Sequence, residues 1–369
     1  MGVFPKKGEI IKKIKLEDLG YNNSFENNRG SVINSDLTPA RIIAEHKGLY
    51  IIRNETSVLS AKITGKMRFQ ASSNEDYPAV GDWVLIKALS KNQAQIYKIL
   101  PRKTLLKRKS SNESESQILA SNIDIAFIVQ APDRDYNLNR FERYLALAKS
   151  GNIEPVIILN KTDLVSSADL DKILFEIKNR FKNTHVYATS MVTGSGITDL
   201  KEAFNKGCTY CFIGSSGVGK SSIINVLIGK SVIRTGEISS NTNRGKHITT
   251  HRELFILESG GLLIDTPGLR EIGILDSSQA IQDVFSEIYD LSTNCRFSDC
   301  THQHEPDCAI LAAVKDGTLD NDKYENYIKL SKEDDYNSMN RLEKKEKDRK
   351  FGKFIKKAKK QFKKYKPDY

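Results

Sequence analysis

The sequence predicts a multidomain α/β protein: a small antiparallel barrel, then a mostly parallel sheet covered by helices, then a helical module organised around cysteine and histidine. Three observations carry that prediction. Short β-rich runs separated by Gly, Asn, Asp and Pro fill Ala40 to Leu106; apolar strands alternate with amphipathic helices from about residue 112; and three of the five cysteines fall between Cys295 and Cys308 beside two histidines.

The bulk numbers bound what such a chain can do. At 369 residues it has room for two or three domains, and 39% hydrophobic content is enough for real cores. A net charge of +11 and a pI near 9.2 point to a polyanionic partner, nucleic acid first and an anionic membrane surface second, with plain solubility charge as the alternative. No window approaches the ~20 apolar residues of a membrane span, and MGVFPKKGEI lacks the apolar core of a secretory signal, so a cytosolic protein is expected. Gly2 follows Met1, but Lys6 stands where a myristoylation signal wants Ser or Thr.

Residues 1–36 are polar and rich in Asn, Lys and Gly; they are expected to be an extension without readable chemistry, with a short helix around Ile10 to Leu19. Residues 37–110 hold GLYIIR, SVLSAKITG, DWVLIKAL and AQIYKIL, the spacing of a small barrel, a fold that binds oligonucleotides in some proteins and serves as a docking surface in others. KRKSSNESESQ reads as a linker. Residues 111–275 then alternate IDIAFIV, LNRFERYLALAKS, PVIILN, ADLDKILFEIKNRF, HVYATS, CTYCFIG, the helix after Lys220 and GLLIDTPG, which predicts a parallel sheet covered on both faces. Residues 276–340 form the Cys/His module and 341–369 a basic tail.

Gly214-Ser215-Ser216-Gly217-Val218-Gly219-Lys220-Ser221, followed by Ser222, matches the G-x-x-x-x-G-K-S phosphate loop between an apolar strand and a helix. Its backbone N–H groups would surround a β-phosphate, Lys220 would neutralise β and γ oxygens, and the Ser221 hydroxyl would ligate Mg²⁺ at a helix N-terminus. Downstream, Asp265 would hold Mg²⁺ through water and the Gly268 N–H would touch the γ-phosphate. Between these lies RGKHITTHREL, the place for a switch whose Thr250, or else Thr249, completes the Mg²⁺ shell. Leu269 follows Gly268 where many GTPases place a water-orienting glutamine, which predicts slow intrinsic hydrolysis; His247 or His251 is the candidate to orient water, against the alternative of surface histidines.

Upstream of the phosphate loop, PVIILN empties into Asn160-Lys161-Thr162-Asp163. A carboxylate at Asp163 can accept N1–H and the exocyclic N2–H of guanine, which adenine cannot supply; Asn160 can bond the base edge and the Lys161 stem can pack along its plane. ATSMVTG is the next base-side loop, with Ser190 and the Met191 backbone near O6. GTP is therefore expected over ATP. Base loops before phosphate loops imply a circular permutation, because ligand loops leave the carboxyl edge of every parallel strand whatever order the chain visits them in. The switch then lies next to the Cys/His module, to which nucleotide state could be passed.

Cys295-x4-Cys300-x-His302-x5-Cys308 offers four ligands for a closed tetrahedral Zn²⁺ site of structural type, His304 competing with His302; free buried thiols are the alternative. Cys208 and Cys211 stand on a strand and are expected to be core packing. In the tail, Phe351, Phe354, Ile355, Ala358, Phe362 and Tyr365 recur at roughly helical intervals in a field of lysine, which suits salt-dependent phosphate contacts, a membrane-surface helix or a solvated tail.

In YPAVGDWV, Asn160 to Asp163, GSSGVGKSS, RGKHITTHREL, DTPGLRE and the Cys295/Cys300/His302/Cys308 spacing, the chain resembles the ribosome small-subunit-dependent GTPase A family, RsgA or YjeQ, over roughly Thr38 to Leu330. The resemblance implies an OB-fold barrel, a circularly permuted P-loop GTPase domain and a C-terminal helical zinc-binding module. It further implies GTP/GDP, Mg²⁺ and one Zn²⁺ as cofactors, and hydrolysis that is slow alone and activated by 30S subunits. The implied role is late maturation of the 30S subunit, with contact to its 16S rRNA near the decoding region and release after hydrolysis. A monomer without stable membrane association is expected. The family switch usually carries three consecutive threonines, whereas Ile248 takes the first place here. A translation or RNA-modification GTPase outside assembly, and a membrane-associated signalling GTPase, would keep the same pocket.

Overall fold

The computed structural model describes residues 13–29, 36–46, 48–109, 116–133, 136–229, 252–265 and 278–364. The chain forms two compact units, 1–111 with 115–273, and 112–114 with 274–369.

The N-terminal stretch is more structured than its composition suggests. A 3-10 turn at Glu17–Leu19 ends on Gly20, and helix α1 (Asn23–Asn27) is capped by the Asn22 side chain, which accepts the Ser24 N–H at 3.1 Å. Leu19, Tyr21 and Phe25 are buried, and Tyr21 meets Trp83 edge-on with ring centroids 4.7 Å apart. Three apolar side chains suffice to dock a polar segment, so in place of a helix ending at Leu19 and a featureless extension there is a turn, a short helix and a packed aromatic cluster.

The barrel strands are β1 (Thr38–His46), β2 (Leu49–Arg53), β3 (Val58–Ile63), β4 (Trp83–Ala88) and β5 (Gln93–Ile99), with helix α2 (Gly65–Gln70) between β3 and β4. They close in the order β1-β2-β3-β5-β4-β1, antiparallel except for β3 beside β5, which is an OB-type barrel. Closure removes free sheet edges and buries Ile42, Ile51, Trp83, Leu85, Ile86 and Ile96.

The expected linker is a hairpin. β6 (Leu105–Lys109) pairs antiparallel with β7 (Ser116–Ser121), with Lys107 opposite Ile118 and Lys109 opposite Ser116. Its polar run hides this because the buried residues, Leu106, Ile118, Leu119 and Ala120, lie at or beyond the ends of that run.

The second sheet contains β8 (Ile125–Gln130), β9 (Glu154–Asn160), β10 (Val186–Thr189), β11 (Thr209–Ile213), β12 (Glu253–Ile256) and β13 (Leu262–Asp265). Its order is β10-β9-β8-β11-β13-β12, parallel but for β12. Helices α3 (Leu138–Ser150), α4 (Ser167–Arg180), α5 (Ile197–Glu202) and α6 (Lys220–Ile228) connect it. The chain runs outward through β8, β9 and β10, then returns to place β11 on the other side of β8. Loops leaving β8 and β11 therefore diverge, and the crevice at this switch point is where an open parallel sheet binds ligands. Phe127 anchors the core, its ring centroid 5.7 Å from that of Tyr210 and 5.3 Å from that of Phe212. Cys211 is buried, which pushes its thiol up to about 12, as befits packing rather than reactivity.

Barrel and sheet are joined by a buried polar weld and by one strand contact, Ala44 opposite Glu253 between β1 and β12. From β1, buried Arg41 donates to the carbonyls of Leu19, Gly81 and Asn122 and to the Thr209 hydroxyl at 2.9 Å, so one guanidinium ties the N-terminal turn, the barrel and the start of β11. Burial lowers its affinity for its proton to a value of about 10, Asp124 and Asp82 opposing the shift. Asp82 takes a bidentate pair from Arg102 at 2.8 and 2.7 Å and accepts from the Ala79 N–H and the Ser121 hydroxyl. Removing one member of such a network strands a buried charge.

The second unit is helical: α7 (Ser278–Val284), α8 (Ser286–Ser292), α9 (Ala309–Asp316), α10 (Asn321–Ser338) and α11 (Arg341–Lys364). Buried Lys323 on α10 pairs with Glu287 on α8 at 2.7 Å, and the Ser278 hydroxyl donates to Asp334 at 2.8 Å. The lysine-rich tail is helical from Arg341 to Lys364, with Phe351 and Phe354 exposed.

Gly81 has φ +97°, and a Cβ there would lie 2.1 Å from the Ser121 carbonyl oxygen of the hairpin. Gly81→Ala is expected to destabilise the first unit by about 2–4 kcal/mol through strain and clash, read as a lowered denaturation midpoint.

Candidate nucleotide site and metal centre

β9 and β11 both end in the crevice. β9 delivers Asn160, which is buried, and then Lys161 in the left-handed conformation at φ 62°, before a 3-10 turn at Thr162–Leu164. β11 delivers the loop from Gly214 to Gly219, and α6 begins at Lys220, so its N-terminal N–H groups face the loop. The two segments touch. The Asn160 amide donates to the Val218 carbonyl at 2.8 Å, and its oxygen accepts from the Thr189 hydroxyl at 3.0 Å. Gly219, at φ +96°, lies so close that a Cβ would sit 2.2 Å from the Asn160 amide nitrogen and 3.8 Å from Lys161 Cε. The residues expected to meet the base and those expected to meet the phosphates are thus in direct contact.

The remaining base-side residues converge on it. Exposed Asp163 accepts a short hydrogen bond from the buried Ser190 hydroxyl, which in turn accepts the N–H groups of Val192 and Thr193 at 3.2 Å each; Met191 lies in this turn. The Thr162 hydroxyl donates to the Thr189 carbonyl at 3.3 Å. Asn160 has a task that sequence reasoning did not assign, because part of its hydrogen-bonding capacity spans the two loops. Thr189 and Tyr144 were also missed. Tyr144 on α3 brings its hydroxyl within 3.4 Å of Ser215 Oγ, and no local motif marks it.

On the phosphate side, the Lys220 ammonium donates to the carbonyls of Gly214 (2.7 Å) and Ser215, holding its charge over the loop. Asp265 ends β13, and burial pushes its carboxyl up to about 6, the nearby Lys220 charge opposing the shift. Ser221 and Ser222 occupy the first turn of α6. The expected switch residues His247, Thr249, Thr250 and His251, and Gly268 with Leu269, lie outside the described residues.

The Cys/His module brings together Cys295, Cys300, His302 and Cys308, with one ligand atom from each within 4.8 Å of the others. Cys295 Sγ lies 3.6 Å from His302 Nδ1 and 3.9 Å from Cys308 Sγ, and Cys308 Sγ lies 3.7 Å from His302 Nδ1. These separations suit the edges of a tetrahedron around Zn²⁺, about 3.8 Å for Zn–S bonds of about 2.3 Å. Burial lowers the basicity of His302, Glu305 opposing, which favours the neutral imidazole a metal needs. Exposed His304 lies outside the cluster, its N–H donated to Glu305 along with those of Thr301 and Gln303, so one carboxylate shapes the ligand loop.

A permuted parallel sheet carrying a guanine-type loop against a phosphate loop, preceded by an OB-type barrel, defines the class: a circularly permuted P-loop GTPase. Comparison with known proteins agrees. The family model described as RsgA GTPase matches residues 99–275, and one described as 50S ribosome-binding GTPase matches 209–346. The chain is 43% identical over 300 residues to the small ribosomal subunit biogenesis GTPase RsgA 1 of Bacteroides thetaiotaomicron, covering 81% of this chain and 83% of that one. It is 38% identical over 333 residues to the RsgA of Opitutus terrae, covering 87% and 90%. Among solved structures it is similar to YjeQ from Thermotoga maritima, with a TM-score of 0.61, 27% identity and coverage of 80% and 97%. YloQ, described as a circularly permuted GTPase, follows at 0.59, 25%, 80% and 94%. The chain belongs to the RsgA GTPase family, and GTP hydrolysis is its activity.

Between the unfolded value of 3.8 and about 6, folded Asp265 holds a proton that the unfolded chain has released, so its contribution to stability falls as pH rises through that window. Nucleotide-free Asp265→Asn is therefore expected to melt above the wild type at about pH 7.5, the difference shrinking toward about pH 4.

Proposed function

We propose that this GTPase acts late in maturation of the small ribosomal subunit, binding 16S rRNA near the decoding region, hydrolysing GTP to GDP and phosphate when the 30S particle stimulates it, and leaving afterwards. The contact of Asn160 with Val218, tightened by Gly219, carries the guanine-nucleotide part of the reading. The base is read by Asp163, with Asn160, Lys161, Thr162, Ser190 and Met191 around it. Gly214 to Ser222 hold the phosphates, and Ser221, Asp265 and Thr250 or Thr249 hold Mg²⁺. His247 or His251 orients water once the subunit is bound.

The relatives' names, which specify small-subunit biogenesis, support the choice of particle. Cys295, Cys300, His302 and Cys308 hold one Zn²⁺ in a structural role. The working map divides the chain after residues 36, 110, 275 and 340, and the protein is taken as a cytoplasmic monomer without stable membrane association; no helix among the described residues is long and apolar enough to cross a membrane. A second reading, a GTPase of the large subunit, draws on the 50S-type model, although that match starts at β11 and so begins with the phosphate half of the pocket.

GTP turnover measured with separated 30S, 50S and 70S particles should rise on the order of tenfold or more with 30S alone; a flat response, or a preference for 50S, defeats the assembly role. Asp163→Asn should lose about 100-fold in GTP affinity and accept xanthosine triphosphate, whose C2 carbonyl replaces the amine that Asp163 reads.

A further inference from the structure

A buried tyrosine must find a partner for its hydroxyl, and Tyr144 finds its partner outside its own helix. The residue is buried on α3, 4% exposed, and its hydroxyl stands 3.4 Å from Ser215 Oγ, the one hydrogen-bond partner it has among the described residues. Gly214 follows the last residue of β11, and Ser215 comes next, so the tyrosine meets the phosphate loop in its first turn.

Helix α3 is a fixed post for that hydroxyl. At its start, the buried Gln130 side chain at the end of β8 accepts the Asn137 N–H at 3.1 Å and donates to the Asn137 carbonyl at 3.0 Å. The Asn137 side chain in turn accepts the N–H groups of Asn139 and Arg140 at 2.8 and 3.3 Å. Beside Tyr144, buried Glu142 takes Arg180 of α4 at 2.7 Å, and the Phe141 ring meets that of Phe181 edge-on with centroids 5.8 Å apart. A helix held at its cap and along its length places a side chain more tightly than a loop can.

The loop it faces is held at both ends by close approach of other residues. A Cβ on Gly214 would lie 2.3 Å from the Val129 carbonyl oxygen of β8, and one on Gly219 would lie 2.2 Å from the Asn160 amide nitrogen. The first turn between those ends owes part of its shape to Lys220, whose ammonium donates to the carbonyls of Gly214 and Ser215. Phosphate oxygens would compete for that same ammonium. Once they take it, the two carbonyls lose a charged donor, and a tie from outside the loop keeps its N–H groups converging. Tyr144 supplies such a tie through the Ser215 hydroxyl, which the ammonium does not use.

We propose that Tyr144 is a positioning residue for the phosphate loop, its hydroxyl holding Ser215 so that the loop N–H groups stay aimed at the β-phosphate. The proposal rests on reading Gly214 to Ser222 as the phosphate loop. A separation of 3.4 Å is long for an O–H···O bond, so the link belongs in the lower half of what such bonds contribute, a factor of about two to five in affinity.

Full-length protein is loaded with ribose-labelled fluorescent GDP, and its release and its displacement by GDP and by GMP are followed for four variants. These are Tyr144→Phe, which keeps the ring and its packing, Ser215→Ala, the double variant, and Lys220→Ala. Each of the first two should release GDP about two- to fivefold faster, and the double variant no faster than the quicker single, because both remove the same bond. Affinity for GMP, which has no β-phosphate, should stay at the wild-type value. In turnover the same factor should appear in KM, since the loop cradles phosphate in ground and transition state alike.

The inference is overturned if either single variant holds GDP as the wild type does, if the two losses multiply in the double variant, or if GMP weakens equally. Lys220→Ala with wild-type GDP affinity would sink the phosphate-loop reading itself. A weakened Lys220→Ala beside an unaltered Tyr144→Phe sinks the positioning role alone.

Discussion

The hydrogen bond from Asn160 to Val218 is the constraint on which the proposed nucleotide site depends. The chain writes the residues proposed to read the base before the loop proposed to hold the phosphates, so nothing local forces them together; they meet because β9 and β11 flank β8 in one parallel sheet and release their loops at the same edge. Gly219 permits the final approach, since any side chain there would displace the Asn160 amide. Thr189 holds the other end of that amide, and Ser190 holds Asp163, so base loop, phosphate loop and the turn after β10 form one connected frame. Such a frame fixes its groups before a ligand arrives, which lowers the ordering cost of binding.

A second constraint joins barrel to sheet. Arg41 and Asp82 are fully buried polar side chains, costly unless the polar atoms around them are satisfied, and each reaches across elements: Arg41 to Leu19, Asn122 and Thr209, Asp82 to Arg102 and Ser121. This weld ends at Thr209, the first residue of the strand that carries the phosphate loop. The barrel is thereby held in fixed relation to the GTPase sheet, and the two lie in a single compact unit. The YPAVGDWV motif acquires a physical meaning: Gly81 lets the chain pass the hairpin carbonyl, Asp82 closes the network, and Trp83 receives Tyr21 from the N-terminal turn.

Much of this was legible in the residues. LNRFERYLALAKS is a helix over the span its periodicity indicates, and the strands bearing Asn160, the phosphate loop and Asp265 fall where apolar runs end in turn chemistry. The Cys/His spacing foretold a cluster because ligands near in sequence need only a short loop to converge. What escaped was non-local. The hairpin looked like a linker because its central residues are polar, the N-terminal turn looked featureless because only three side chains bury it, and Thr189 and Tyr144 carry no motif.

By itself the sequence determined the chemistry available: which loops turn, which strands are buried, which side chains can read guanine, hold phosphate or gather a metal, since these follow from backbone preference and side-chain type within a few residues. Only the tertiary structure decided adjacency. It set β11 beside β8, put Asn160 against Gly219 and routed Arg41 to Thr209, because burial and hydrogen-bond satisfaction are settled by residues far apart in the chain.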